Sequence, residues 1–433
     1  MPEEIESDES KRLTSLINLY KDNEFSETLS SASSFIRDYP NNFEGYNLLA
    51  LASKGLGKFQ QSEKIFMSVI RNNLKNPKIS FIYTNAGNLL YDLGRIDESI
   101  NFHKASINLK PDSINSVLGL GLGLTALDRD SEAIQVYSEY LKRYPNNEEL
   151  NYHLAVCLRK KNQFIKAAQY YSKTKKRLSK GYQLECLYQG ITNEESIDDF
   201  YKFLDNININ DDVNPLTACI SSHAAIRFDK NDNCDFCKKP FDYIKKYKLS
   251  ENSLFSHDLI ENFLSDIQKA HISKKGQVLL KNGYQSSGNL FNLEFDSVLQ
   301  VKKIIIENIS KYRNFYKKSN ETFIKNWPKK YNLYGWIIAM QSGGMLKPHM
   351  HKEGWLSSSI YLRMPEKSIK NQGDIEFSLT GADYPTDGKI YKKEIIETFY
   401  GDMIMFPSSL FHSTIPFDSD TERVVLAFDL IPE

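Results

Sequence analysis

The sequence predicts an α+β multidomain chain, in which an all-α superhelix of repeated helix pairs precedes a largely antiparallel β domain with supporting helices. Two observations carry this prediction. Landmark residues recur every 34 to 37 positions in the N-terminal part, a period typical of stacked helical repeats. From residue 334 onwards the chain changes to short β-branched and aromatic runs separated by Gly, Pro, Asp and Lys, which is typical of antiparallel strands in a sandwich or barrel.

Length and composition limit the functions that the chain can have. At 433 residues it is longer than one hydrophobic core usually supports, so we expect two or three domains. Lys+Arg and Asp+Glu both number 55, and this balance leaves no basic surplus for a nucleic-acid partner. No apolar run approaches the ~20 residues of a membrane span, and the acidic start lacks a secretory signal pattern. Five sparsely placed cysteines argue against a disulfide framework, so we expect a cytoplasmic protein.

Two independent sets of residues mark the helical repeats. One set is the prolines that close the units, Pro40, Pro77, Pro111 and Pro145. The other has the same rhythm and consists of Phe25, Phe59, Ile96, Asp130 and Phe164. Between these marks each unit has the pattern of two amphipathic helices, and the whole resembles tetratricopeptide (TPR) repeats. We expect about five repeats over residues 11–179, whose concave face binds a protein or peptide partner. A spacer or dimerisation element is the alternative.

Residues 180–333 give weaker signals. We expect a connecting helical region that leads into the N-terminal part of the second domain, with a convincing amphipathic helix in FDSVLQVKKIIIENISKYRNFY. Cys234 and Cys237 form a lone CxxC pair. A structural zinc site needs a second pair of ligands, which Cys186 and Cys219 do not supply. Two free thiols in a loop are therefore expected.

Three of the eight histidines fall within the predicted β domain. His349 and His351 are two residues apart, and such residues on an extended segment point to the same side. His412 lies on or beside a late strand, and Arg423 follows on the next strand, where its guanidinium can hold a carboxylate in a bidentate fork. Two histidines near one strand and a third across the barrel can form a facial array like that around non-haem Fe(II). Alternatively, His349 and His351 cap a loop while His412 packs against Phe411.

Four stretches of the C-terminal half occur in a specific order: PHMHKEGWLSSSIYL, GDIEFSL, GDMIMFPSSLFHSTIPF and ERVVLAFDL. In this order they resemble the 2-oxoglutarate/Fe(II)-dependent oxygenases that combine TPR repeats with a double-stranded β-helix (jelly-roll) domain. The resemblance covers residues 215–433, with the β-helix core at 334–433. It implies Fe(II), 2-oxoglutarate as cosubstrate, and O2. It also implies that His349, His351 and His412 are the catalytic metal ligands and that Arg423 and Tyr361 contact the far carboxylate of 2-oxoglutarate.

Two positions depart from the pattern of that family. His351 stands where most of these enzymes have Asp or Glu, which leaves the site one negative charge short unless surrounding groups compensate. The site is then either a three-histidine triad or a two-histidine site completed by water. Val425 stands where many relatives have a hydroxyl residue. Asp374 and Asp402 are possible carboxylate ligands, although each follows a glycine at a strand start and is typical of a turn.

Together, these expectations predict a dioxygenase that hydroxylates a protein, a peptide or a peptide-linked substrate presented by the TPR groove. Two alternatives remain open. One is a non-catalytic TPR scaffold with a silent β-helix domain, which the His351 departure favours. The other is a three-histidine iron oxygenase that does not use 2-oxoglutarate. Trp336 and Trp355 are expected either at the mouth of the site or in the packing of the sheet.

Overall fold

The computed structural model describes residues 7–209, 213–270, 272, 274–275 and 278–433. Contacts between Cα atoms divide the chain into two units, with the boundary between Lys175 and Lys176. The predicted connecting region, 180–333, includes several positions that lie outside the described residues. Within the described residues, no helix combines the length and the apolar character that crossing a membrane requires.

The first unit is built from consecutive helices that pack against one another in pairs. Within its described residues these are α1 (Asp8–Lys21), α2 (Phe25–Asp38), α3 (Phe43–Gly55), α4 (Phe59–Asn72), α5 (Ser80–Asp92), α6 (Ile96–Leu109), α7 (Ile114–Ala126), α8 (Asp130–Arg143), α9 (Glu148–Lys160) and α10 (Phe164–Tyr171). A short 3-10 helix, Pro77–Ile79, precedes α5. The first helix of a pair also contacts the first helix of the next pair, as α3 does with α5 and α5 with α7, so the pairs stack as a helical solenoid.

A residue in the left-handed backbone conformation lies between the two helices of each pair. These residues are Asn23, Gly57, Gly94, Asp128 and Asn162. Glycine has no Cβ to clash in this conformation, and Asn and Asp adopt it more readily than other residues do. The recurrence of these three residue types explains why the chain reverses at the same point in every repeat.

The run GLGLGL lies inside α7, where its glycines make room for large side chains. A Cβ on Gly119 would lie 2.2 Å from Cε1 of His103, and one on Gly121 would lie 2.1 Å from Cζ of Tyr137. Both nitrogens of the His103 ring are buried with no hydrogen-bond partner in the part of the chain that the structure describes, and burial lowers the pKa of His103 to about 4. These glycines therefore serve helix packing, and the run lacks the strand-to-helix context of a phosphate-binding loop.

Substitution of Gly119 by alanine tests this packing. The added methyl group would overlap the His103 ring, so we expect Gly119→Ala to lower the free energy of unfolding by about 1–3 kcal/mol. Leu122→Ala, at an exposed position of the same helix, is the matched control and should change it by less than about 0.5 kcal/mol. Urea denaturation followed by circular dichroism measures both variants. Equal effects of the two substitutions would contradict the packing account.

The second unit begins with helices and ends in a β domain. Its helices are α11 (Ser179–Gln189), α12 (Glu194–Ile209), α13 (Pro215–Arg227), α14 (His257–Lys269), α15 (Asp296–Phe315) and α16 (Thr322–Lys325). Three 3-10 helices lie at Pro240–Tyr243, Leu249–Glu251 and Leu290–Asn292. The amphipathic α15 buries Ile305 and Ile309 in the same core as Ile360, Leu426 and Phe428 of the sheet, so this helix supports the sheet from one face.

The strands of the second unit pair in antiparallel fashion. They are β1 (Lys245–Lys248), β2 (Lys274–Lys275), β3 (Leu280–Ser286), β4 (Tyr331–His349), β5 (Leu356–Arg363), β6 (Ile375–Ser378), β7 (Lys393–Ile396), β8 (Asp402–Pro407), β9 (Phe411–Thr414) and β10 (Arg423–Pro432). Hydrogen bonding gives the order β1-β8-β5-β10-β4-β9-β6-β7, and β3 pairs with both β2 and β4.

The long strand β4 takes part in both halves of this sheet. Its first part, Tyr331–Met340, pairs with β10, whereas Leu346 and His349 near its end pair with β9. Gly343, whose φ is +69°, lies between the two parts, where a glycine permits the change of direction. One half of the sheet thus faces the other across a shared interior. The predicted α+β architecture with a double-stranded β-helix is confirmed, and the β-branched and aromatic runs after residue 334 form strands β4 to β10.

Candidate metal centre

The three histidines of the β domain come together at one end of the shared interior. His349 is the last residue of β4 and lies opposite His412 of β9 in the strand register. His351 follows two residues later, in the loop before β5. Ring centroids are 4.3 Å apart for His349 and His412, 4.9 Å for His351 and His412, and 5.2 Å for His349 and His351. One nitrogen from each ring lies within 4.8 Å of the other two.

The orientation of each ring is fixed by an acceptor on its Nδ1 side. His349 Nδ1 lies 2.9 Å from the carbonyl of Lys347, and His412 Nδ1 lies 3.4 Å from that of Leu410. His351 Nδ1 lies 2.7 Å from Oδ1 of Asp429. When Nδ1 carries the proton, Nε2 keeps the lone pair that binds metals. The Nε2 atoms of His349 and His351 are 3.3 Å apart, an arrangement of two lone pairs that a shared cation would stabilise.

The electrostatics of the cluster favour neutral rings. Burial lowers the pKa of His349 to about 4, and the neighbouring His351 adds to this effect. Burial and the two neighbouring imidazoles lower the pKa of His412 well below its usual value. Neutral imidazole is the form that coordinates a metal ion. His349 and His412 are therefore in the coordinating form at pH 7.

The two aspartates considered as possible ligands lie elsewhere and have other partners. Asp374, which is fully buried, accepts hydrogen bonds from Lys367 at 2.5 Å and from the backbone nitrogen of Thr398 at 2.8 Å. Asp402 forms an ion pair with Lys246 at 2.6 Å and accepts from the backbone nitrogen of Phe399. Both therefore anchor loops at strand starts, and neither is in the histidine cluster.

Arg423 and Tyr361 line the same cavity as the three histidines. Arg423 is 3% exposed, and its Nε donates to the carbonyl of Gly373 at 2.9 Å. Its guanidinium carbon lies 5.1 Å from the centroid of the Tyr361 ring. Among the described residues, no carboxylate forms an ion pair with Arg423, and the fully buried Tyr361 hydroxyl interacts with its guanidinium. A buried cation without an anionic partner is costly, so this wall is suited to an anionic ligand.

The enclosed space between these groups is small. It measures about 30 Å³, far below the roughly 300–1,000 Å³ of a typical small-molecule site. Apolar side chains from β4, among them Ile338, Met340 and Leu346, fill much of the interior beside the histidines. A ligand larger than water therefore requires some of these side chains to move.

Comparison with known proteins agrees with this geometry. Residues 334–429 match the family described as "Putative 2OG-Fe(II) oxygenase". Residues 82–113 and 116–147 each match a tetratricopeptide repeat. The N-terminal unit thus matches TPR repeats, and the β domain matches the oxygenase family. All three histidines, Arg423 and Tyr361 fall within the part that matches the oxygenase family.

Other relatives resemble limited parts of the chain. "Protein O-mannosyl-transferase Tmtc3" of Drosophila melanogaster is 26% identical over 121 residues, which is 28% of this chain and 13% of that protein. The chain thus spans a small fraction of the length of this relative. Solved structures include pilF of Pseudomonas aeruginosa, with 13% identity and a TM-score of 0.39 over 48% of this chain and 94% of that one. A TPR protein from Parabacteroides merdae has 12% identity and a TM-score of 0.37, covering 50% and 85%.

The second unit contains residues around the histidines that the sequence patterns did not single out. Asp429 accepts from His351, and Ser357 Oγ lies 2.7 Å from the same Asp429 oxygen. Lys352, next to His351, donates to both oxygens of Glu185 on α11 at 2.7 and 2.9 Å. The alternation of side chains along β10 could have indicated Asp429, because residues that lie an even number of positions from Arg423 face the same side of the strand. No comparable signal pointed to Glu185.

Trp336 and Trp355, the tryptophans considered for the site, have different surroundings. Trp336 lies beside the metal centre, with its ring centroid 5.4 Å from that of His351. Trp355 belongs to the core, where its Nε1 donates to the carbonyl of Phe323 at 2.9 Å and its ring packs against Phe236. Trp336 therefore forms part of the wall around the histidines, and Trp355 stabilises the sheet.

The lowered pKa of His349 predicts how the metal-free protein responds to acid. Between pH 4 and pH 6.5 the unfolded chain binds a proton at this residue that the folded chain does not. Stability therefore rises with pH across this window and is lost as the pH falls through it. The slope of unfolding free energy against pH is proportional to the difference in bound protons between the unfolded and the folded chain. We expect His349→Gln to reduce that difference by up to about one proton. Urea denaturation of chelator-treated protein measures the slope, with His257→Gln, on an exposed residue, as control. An unchanged slope in His349→Gln would contradict the buried neutral ring.

Proposed function

We propose that the C-terminal domain is an Fe(II)- and 2-oxoglutarate-dependent dioxygenase in which His349, His351 and His412 hold the iron. The observation that carries this proposal is the convergence of three imidazoles in one cavity, beside a buried guanidinium that has no carboxylate partner among the described residues. Imidazole nitrogens are competent iron ligands, and three on one face leave the opposite positions open. The family match at residues 334–429 supports the same reaction class.

The residues of the cavity fit 2-oxoglutarate through their charge and hydrogen-bonding capacity. Arg423 is the group that would hold the far carboxylate, because a guanidinium forms bidentate hydrogen bonds with that group. The fully buried Tyr361 hydroxyl, which lies beside this guanidinium, can donate to the same carboxylate. When bound, iron, 2-oxoglutarate and O2 supply the oxidation, in which the keto acid is decarboxylated to succinate and a C–H bond of the substrate is hydroxylated.

The contributions of the chain itself are orientation and exclusion of water. The Nδ1 contacts of the three histidines direct Nε2 of each ring towards the cluster. The apolar side chains of β4 keep the interior dry, which strengthens electrostatic interactions there. The small volume of the cavity implies that Arg423 becomes accessible to a dicarboxylate only when neighbouring side chains move.

The proposed substrate is a protein, a peptide or a peptide-linked molecule, and the proposed compartment is the cytoplasm. TPR repeats commonly bind proteins or peptides through their concave surface, and two such repeats match this chain. A chain that carries a binding array and an oxidising domain has the parts needed to capture and modify the same partner.

Substitution of Arg423 tests the role of 2-oxoglutarate. Anaerobic addition of Fe(II) and then 2-oxoglutarate to the apo-protein should produce the visible charge-transfer band of a keto acid chelated to Fe(II). In Arg423→Gln we expect Fe(II) binding to persist and 2-oxoglutarate affinity to fall at least about 30-fold, because the carboxylate loses its ionic partner. Arg363→Gln removes another arginine of the same sheet, which is partly exposed and pairs with Glu261 at 3.5 Å, and should leave both affinities unchanged.

The outcomes separate the candidate functions. Unchanged 2-oxoglutarate binding in Arg423→Gln would contradict the assigned role of this arginine. Wild-type protein that binds Fe(II) but not 2-oxoglutarate would favour a three-histidine oxygenase with another cosubstrate. Wild-type protein that binds neither would favour a TPR scaffold with a silent β domain.

A further inference from the structure

We infer that Asp429 supplies, through His351, the negative charge that a carboxylate ligand would otherwise bring to the metal. The inference rests on the proposed metal site of His349, His351 and His412. In the family pattern this chain has a neutral imidazole where an Asp or Glu usually stands, so the charge must come from elsewhere. Asp429 would act as a positioning residue that fixes the orientation of His351 and increases its basicity as a ligand.

The hydrogen bonds around Asp429 point towards the metal centre. Oδ1 of Asp429 accepts from His351 Nδ1 at 2.7 Å and from Ser357 Oγ at 2.7 Å. Ser357 Oγ lies a further 2.7 Å from Ser408 Oγ. A carboxylate on Nδ1 leaves Nε2 as the coordinating atom and makes it a better electron donor. The two serines hold the carboxylate itself in place.

Within the described residues, neither lysine nor arginine neutralises the charge of Asp429, unlike that of the other buried carboxylates. Five acidic residues are buried in the described part of the chain. Four of them pair with lysine, in Asp130–Lys160, Glu185–Lys352, Asp374–Lys367 and Asp402–Lys246. Asp429, which is 7% exposed, pairs with no lysine or arginine among the described residues, and its ionisable neighbour is the His351 ring. A buried carboxylate without a fixed cation is costly, and a metal ion on the far nitrogen of His351 would offset that cost.

A glycine in the loop that carries His351 allows the loop to lie close to this carboxylate. A Cβ on Gly354 would lie 2.6 Å from Ser408 Oγ and 3.1 Å from Cγ of Asp429. A larger residue there would displace the network or lift the loop. Glu185 fixes the same loop from the other side through Lys352. His351 thus lies between two anchors, and Asp429 is the anchor that contacts its ring.

Titration with Co(II), without 2-oxoglutarate, tests the inference separately from the reaction. Co(II) binds the same class of site, and its visible spectrum reports the number and type of ligands. We expect Asp429→Asn, which keeps the size of the side chain and removes its charge, to weaken Co(II) binding about 10- to 100-fold and to shift the Co(II) spectrum. Asp402→Asn removes a comparably buried carboxylate of the same sheet and should leave both unchanged. Thermal unfolding of each apo-protein confirms that it is folded.

Moving the carboxylate provides a second test. His351→Asp alone would set two carboxylates against each other, so we expect Co(II) binding weaker than in the wild type. Adding Asp429→Asn removes the repulsion and leaves one carboxylate in the ligand position. We therefore expect the double variant to bind Co(II) at least about tenfold more tightly than His351→Asp does. Substitutions at independent sites would not show this coupling.

The results distinguish the inference from the proposed function. If Asp429→Asn binds Co(II) with the affinity and visible spectrum of the wild type, the inferred role of Asp429 is overturned. The metal site itself would still be supported by that result. Failure of His351→Asp/Asp429→Asn to recover binding relative to His351→Asp would likewise overturn the role of Asp429. Absence of Co(II) binding in the wild type would overturn the metal site and the inference together.

Discussion

The pairing of β4 with β9 determines the position of the site, because it sets His349 opposite His412 in the strand register. Side chains on a strand alternate between faces, so a shift of one residue would turn one of these histidines away from the interior. The pairing of β10 with the first part of β4 is equally specific and places Arg423 opposite Met340. The two histidines and the arginine thus come from three strands whose registers are all fixed by the burial of one face.

Burial gives this arrangement its chemical character. It keeps His349 and His412 neutral and therefore able to coordinate. It also leaves Arg423 and the Tyr361 hydroxyl facing a small, largely apolar space. Asp429 places a carboxylate on the outer nitrogen of His351. The domain thus surrounds one point with three imidazoles, with a cation on one side and an anion on the other, an arrangement suited to a metal and a carboxylate ligand.

Much of the fold could be predicted from the sequence because the signals are local. Alternation of β-branched residues marks β4 to β10, and residues that tolerate the left-handed conformation, such as Gly94 and Asp128, mark the turns of the repeats. Strand β1 was not predicted, because its sequence KKYK carries no apolar alternation and forms a strand only by pairing with β8. The contact between His351 and Asp429 joins residues 78 positions apart. It depends on the path of the loop after β4, which no local pattern specifies.

X-ray absorption at the iron edge of the anaerobically prepared Fe(II) complex tests the central claim most directly. Imidazole ligands give a characteristic scattering pattern, from which the number of histidines bound to iron follows. The account predicts one iron per chain with three histidine nitrogens, and loss of one histidine from the pattern in His351→Ala. Absence of bound iron, or a shell of oxygen ligands without histidine, would contradict it.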